Sequence, residues 1–248
     1  MSKTMMSSLL IALINLLMNS APQTVTVGDG LWCDYPSSEI NLVLLEQPNV
    51  AITTDINWPP LLITQSVNLT GGFDNCLMAK LNHHSQSLSH INGAQNSTGI
   101  TIKTQTKSDI HLNHLIIENG KAKHGAGIHA SGRYSLKMNN LTIQNNVAED
   151  SGGGLYFEGE NNMVYLINSN VQYNSARQGA GMVVKGEGNK ITLNKGQLSN
   201  NKSTQYGGGI LCTGAHGIDL FEVNILNNSA PWGTDIFKTL NCQVNAHE

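Results

Sequence analysis

The sequence predicts an all-β fold, a single-stranded right-handed parallel β-helix (solenoid) of about six to seven coils of about 27 residues, preceded by an N-terminal cap. Three marks in phase predict it. The last residues of successive glycine clusters, Gly72, Gly99, Gly127, Gly154, Gly181 and Gly209, follow one another at 27, 28, 27, 27 and 28 residues. An aliphatic or aromatic residue comes next each time: Phe73, Ile100, Ile128, Leu155, Met182 and Ile210. Asp235, followed by Ile236, takes the glycine's place in a degenerate seventh copy. The second mark is aliphatic-x-x-Asn, ending at Asn119, Asn146, Asn174, Asn201 and Asn228. The third is a turn glycine at Gly132, Gly159, Gly186 and Gly214.

Each repeat reads as strands and turns. Segments such as "NKITLNKG" and "NMVYLINSN" alternate over a few residues and then break at Gly or Asn. A helical repeat would need longer runs of helix formers. Gly is 25 of 248 residues and charged residues are 12%, against a usual ~7% and ~25%, which suits many short strands and tight turns. In a stacked coil, the turn before the first strand brings neighbouring backbones close, and residues without Cβ suit it. The next residue points into the core. The Asn stands at a tight turn that tolerates a left-handed backbone, and its side chain is expected to bond the coil above or below as a ladder.

Along the chain, residues 1–21 read as a signal peptide, with one early Lys and an apolar run from Leu9 to Met18, too short to span a bilayer. Export through it to the exterior, the outer membrane or the cell surface is the expected route. Residues 28–70 read as the N-terminal cap and first coil, 71–240 as the β-helix and 241–248 as a C-terminal tail. No later run is long enough for a transmembrane anchor. Four cysteines, Cys33, Cys76, Cys212 and Cys242, suggest two disulfides in an exported chain, and three pairings exist. Two lie before the repeats and two at their end, which favours Cys33–Cys76 and Cys212–Cys242. A metal site is the rival, but CxxC and HxxxH spacings are absent.

The paired motif, aliphatic-x-x-Asn followed by Gly-Gly-Ala/Gly-Ile, resembles the repeat of the polymorphic outer membrane proteins first known from chlamydiae, within the pectin-lyase-like β-helices. The resemblance runs from about Ile116 to Phe237, about half of the chain, with a weaker echo back to Gly72. It implies a bacterial, secreted or cell-surface protein with an adhesive or structural role. Two departures stand out: Phe gives way to Ile, Val or Leu at the first repeat position, and the sequence to Glu248 includes no outer-membrane barrel, so self-transport is not implied.

Chemistry is sparse. The outward row two after the last glycine, His129, Tyr156, Val183, Leu211 and Phe237, is either an exposed binding stripe or a stripe covered by a loop. The row Lys123, Asp150, Arg177 and Gln205 reads as a surface salt-bridge ladder, with a catalytic triad across coils as the weaker reading. His111 and His114 fall on opposite faces of a strand, and His124 and His129 on separate sides of a turn, so no metal site is expected. No catalytic residues and no cofactor are assigned. The net charge of −3 gives nothing to attract nucleic acid. The expectation is a secreted or cell-surface, non-catalytic adhesive or structural module that meets a host or matrix glycan or protein, with self-association open. The alternative is a carbohydrate-active β-helix, a polysaccharide lyase or glycoside hydrolase.

Overall fold

The computed structural model describes residues 23–214 and 216–247; the expected signal peptide, residues 1–21, lies outside them. The backbone winds as a parallel β-solenoid of about eight turns of about 27 residues. A sheet of 16 strands and a sheet of four carry the ladders between coils. One coil shows the path. Leu155–Glu160 turns a corner into Met163–Gln172, which bends at Asn168 (φ 49°). Ser175–Gln178 follows, and a glycine turn leads to Met182–Glu187, one storey further on.

Register is strict, so like residues form columns. Ile128, Leu155, Met182, Ile210 and Ile236 are stacked partners on one side of the coil. Leu136, Val164, Ile191 and Ile218 stack on the next, and Ile143, Val171, Leu198 and Ile225 on the third. Most of these side chains are fully buried in one continuous core. Burial of each contributes about 1.5–3 kcal/mol, and alternation along the strands keeps polar neighbours outside.

The glycine clusters do two jobs. The first residue of each cluster, Gly125, Gly152, Gly179 and Gly207, is left-handed, with φ of 59°, 70°, 57° and 60°. The last residue is not; it is glycine because of close approach. A Cβ on Gly154 would lie 2.7 Å from the Gly181 carbonyl oxygen, and one on Gly209 would lie 2.6 Å from that of Asp235. Gly72 stands apart from this column. Ile100 stacks on Leu61, so Pro60 occupies the place that the spacing assigns to a glycine. Gly72 (φ 81°) lies in Val67–Phe73, which pairs with a different face, and Phe73 packs with Ala51 and Ala79 outside the main core. The reason is chain length: residues 74–88 leave the coil to form a short helix and a loop, which puts the first glycine pair out of phase.

The asparagines form a buried ladder, one residue away from the left-handed corner. The corner residues are Asn119, Asn145, Tyr173, Asn200 and Asn227, with φ of 55–57°. The ladder proper is Asn146, Asn174, Asn201 and Asn228, all at most 5% exposed. The backbone N–H groups of Asn146, Asn174 and Asn201 donate to the next coil's Asn Oδ1 at 3.1, 3.1 and 3.0 Å. Their Nδ2 groups donate to the carbonyls of Ile117, Ile143 and Val171 at 3.1, 2.9 and 2.9 Å. Asn119 is therefore a corner residue and not a rung. Its coil presents Gly120 at the rung, whose N–H donates to Asn146 Oδ1 at 2.8 Å. The coil is one residue shorter there: Gly120 to Asn146 is 26 positions, against 28 and 27 for the next two steps.

Both ends hold more ordered structure than their sequence suggests. Val25–Val27 already stacks on Val50–Ile52, ahead of the expected cap, and helix α1 (Ile40–Glu46) folds Ile40, Val43 and Leu44 into the core. The coils before Ile100 lack the glycine signal, which accounts for a turn count above the expected six to seven. Cys242–His247, expected as a tail, is a strand in register with His216–Phe221. Disulfides join Cys33 to Cys76 and Cys212 to Cys242, with Cα–Cα distances of 5.0 and 6.1 Å. Closing 43- and 30-residue loops restricts the unfolded chain by roughly 4 kcal/mol each in the loop-entropy account.

Two substitutions test the stacking. Asn174→Leu strands the Asn146 N–H and the Ile143 carbonyl in a buried site, at about 1–3 kcal/mol each, and urea unfolding of the oxidised protein is expected to show a midpoint well below the parent's. Gly154→Ala, a milder change in composition, is expected to destabilise as well, because the new methyl meets backbone that cannot retreat. A midpoint unchanged in both variants would contradict the in-register account.

Candidate functional site

The outward row next to the core column is not open. Tyr156, Val183 and Leu211 are 3%, 3% and 5% exposed and form a small apolar cluster of their own, with Phe237 packed on its end. The left-handed glycines lie directly on it: a Cβ on Gly152 would meet Tyr156 Cβ at 2.8 Å, and one on Gly179 would meet Leu211 Cβ at 2.9 Å. The chain that returns through each glycine turn thus roofs the row. An exposed binding stripe at His129, Tyr156, Val183, Leu211 and Phe237 does not exist in this arrangement; only its two ends, His129 and Phe237, are half-buried.

Around Tyr156 the roof assembles a charged cluster. The His124 ring stacks on the Tyr156 ring at 5.2 Å between centroids, and His129 meets it edge-on at 5.1 Å. His129 Nε2 lies 3.9 Å from Glu158 Oε2, Lys185 Nζ lies 3.5 Å from Glu158 Oε1, and His124 Nδ1 lies 3.8 Å from Asp150 Oδ2. Arg177 pairs with Asp150 across coils. Burial, then the Glu158 charge, pushes the Tyr156 hydroxyl above its usual range, and the Tyr156 oxygen, then Glu158, holds Lys185 above its own. Opposite charges here neutralise one another, and the tyrosine is too enclosed to reach a substrate. The cluster closes the flank of the solenoid. In the row Lys123, Asp150, Arg177 and Gln205, the structure joins Asp150 to Arg177 and bonds Gln205 to Gln178 at 3.0 Å; Lys123 joins neither. Among the described residues, no group of three or more His, Cys, Asp or Glu side chains is placed to hold a metal ion.

One open concavity is at the corner that follows the first strand of the coil. Coils take this corner at different lengths. Thr104 to Ser108 is four steps, while the partners stacked on them, Gly132 to Tyr134, are two apart. One storey on, Glu158 to Met163 is five steps, against four from Ser131 to Ser135. A short corner between two longer ones leaves a cleft of about 540 Å³, lined by Lys107, Gly132, Arg133, Tyr134, Glu160, Asn161 and Asn162.

Its floor is locked. Asn162, 1% exposed, accepts the Tyr134 N–H at 2.7 Å on its side-chain oxygen and donates its side-chain amide to the Gly132 carbonyl at 3.1 Å, while its backbone N–H donates to Asn189 Oδ1 at 2.9 Å. Asn189 repeats the pattern with the Gly159 carbonyl at 2.9 Å. This second, shorter asparagine ladder was readable in the sequence: Asn162 and Asn189 each stand three residues after a turn glycine, 27 apart. The Tyr134 hydroxyl, raised well above its ordinary value by burial, is spent on the Ala130 and Glu158 carbonyls at 3.3 and 3.4 Å. The rim differs: Lys107, Arg133, Glu160 and Asn161 are exposed.

Burial depresses three imidazoles below the usual 6.5: His114, with nearby His84 adding to it; His129, with Glu158 opposing; and His216, with its Thr213 carbonyl bond opposing. Each resists a proton in the folded state that the unfolded chain accepts. Stability is therefore complete above about pH 6.5 and falls as pH drops through the depressed folded values. Urea midpoints at pH 7.5 and 5.5 check this: the lower pH is expected to give the lower midpoint, and His129→Gln to narrow the difference.

Neither the curated proteins nor the solved structures contain a significant match to this chain. The family model of the Chlamydia polymorphic membrane protein repeat matches residues 140–158. That span runs from the left-handed bend at Asn140, through rung Asn146 and the glycine turn 152–154, to core residues Leu155 and Phe157. Residues 140–158 thus fit a polymorphic-membrane-protein-type repeat, set here as part of one turn of a parallel β-solenoid.

Proposed function

We propose that the chain is exported through residues 1–21 and acts outside the cell as an adhesive or structural β-solenoid that meets its partner on its outer flanks. The observation that supports this most is the matched repeat itself, which suggests a surface-associated β-helix protein. The geometry agrees with such a role. Inward positions serve the core, the charged cluster around Tyr156 is self-neutralised, and the cleft over Asn162 opens on the outer flank with an exposed rim. Among the described residues, no helix is long and apolar enough to cross a membrane. Partners suited to such a rod are host or matrix glycans and proteins, taken along a rigid side that needs no closing motion.

Expression of the full chain with its own N-terminus, followed by fractionation and mass spectrometry of the mature N-terminus, tests the route. The expected result is a secreted or surface-accessible product starting near residue 22; retention in the cytoplasm with an intact leader would refute it. The purified, oxidised protein is then expected to bind a matrix or glycan surface saturably without consuming it. Turnover of polygalacturonate would instead select the carbohydrate-active alternative.

A further inference from the structure

We propose that the corner cleft over Asn162 binds a sugar bearing a single acidic group, with Lys107 and Arg133 receiving the acid and Glu160 and Asn161 meeting ring hydroxyls; this rests on the reading of the chain as a binding module. The two cations are the first reason. Four basic side chains on the flanks are paired: Lys80 with Asp34 at 2.7 Å, Arg177 with Asp150, Lys185 with Glu158 at 3.5 Å and Lys195 with Glu222 at 3.9 Å; others, such as Lys202 and Lys238, are unpaired among the described residues but line their clefts without a second unpaired cation. Lys107 and Arg133 line one cleft, both exposed, and form no ion pair with described residues. Of two other clefts of similar size, one of about 580 Å³ near the N-terminal end contains Lys80 and Asp34, which satisfy each other, and one of about 620 Å³ around Leu240 holds a single cation, Lys238.

The shape and remaining chemistry narrow the ligand. A volume of about 540 Å³ lies within the usual range for small-molecule sites and accommodates one or two pyranose rings. The guanidinium fork of Arg133 matches a carboxylate or sulfate in two parallel bonds, and the Lys107 ammonium adds a point charge. Glu160, on the same rim, repels densely charged chains such as polyphosphate or nucleic acid. It favours a ligand in which one acid sits among hydroxyls, since a carboxylate and an Asn amide together accept from and donate to hydroxyls. The floor contributes no ligand contacts, because the side-chain oxygen and nitrogen of Asn162 are both committed to backbone. It holds the rim residues in place. Lys107 reaches the cleft because the two extra residues between Thr104 and Ser108 lift it over the short corner below.

The test is calorimetric titration of the full oxidised protein with three probes: methyl glucuronide, which carries one carboxylate; glucose 6-sulfate, which carries one sulfate; and methyl glucoside, which is neutral. Binding of at least one acidic probe, weakened by salt, and none of the neutral one, is expected. Arg133→Gln and Lys107→Gln are each expected to weaken it about tenfold or more, as loss of a charge-assisted bond does. Lys202→Gln, on another face, serves as the control and is expected to leave affinity unchanged. Both cleft substitutions are at exposed positions, and unchanged thermal unfolding verifies folding. Equal affinity in the parent and the Lys107/Arg133 double variant, or an equal loss in Lys202→Gln, overturns the cleft assignment. If the parent ignores every acidic sugar yet still binds matrix or cells, the cleft assignment falls and the adhesive reading survives. If it binds nothing, the cleft assignment and the adhesive reading both fall and the structural reading alone stands.

Discussion

Each coil of this protein has only two places to put its backbone hydrogen bonds: the coil before and the coil after. Everything else in the structure follows from that. Strands must be parallel and in register, so residues at one position meet their counterparts and nothing else. Apolar columns satisfy this with Ile, Leu, Val and Met. Corners are harder, because there the backbone turns out of the ladder and its polar groups would be left buried and unpaired. The asparagine rungs solve that problem. Each side chain imitates a stretch of backbone, accepting an N–H of the preceding coil and donating to a carbonyl of that same coil. The glycine columns solve the complementary one, letting main chains touch where a Cβ would hold them apart.

Much of this was legible in the sequence because stacking makes every solution repeat. The 27- and 28-residue spacing of Gly127, Gly154, Gly181 and Gly209 and the buried residues after them carried the architecture. What escaped was whatever does not repeat. Asn119 keeps the motif's spacing but lies one position off the rung, since a one-residue deletion cannot be distinguished from a shifted corner without the register. Gly72 keeps the period by coincidence, while the column it should join runs through Pro60, just before Leu61. The N-terminal coils, wound from residues with no shared motif, were undercounted.

The site was the least legible part. Alternation correctly put Tyr156, Val183 and Leu211 on the outside of the first strand, yet outside the strand is not outside the protein. The four-strand sheet and its glycine turns return over that row and bury it. The cleft at Arg133 arises from differences in corner length between neighbouring coils, a quantity that appears only once strands are paired. The regular positions thus describe the rod, and the irregular ones describe what the rod presents to its surroundings.

A stacked rod has no closed core boundary, so thermal or mechanical peeling starts where a coil has one neighbour in place of two. Here each such place is sewn covalently to chain further in: Cys33 to the helix that begins at Cys76, and the strand from Cys242 back to Cys212 in the coil beneath. Val25–Val27 and residues 243–247 can still peel, but unzipping past Cys33 or Cys242 must break a covalent link. Fraying by proteases or shear is therefore checked at those two links for as long as the surroundings stay oxidising.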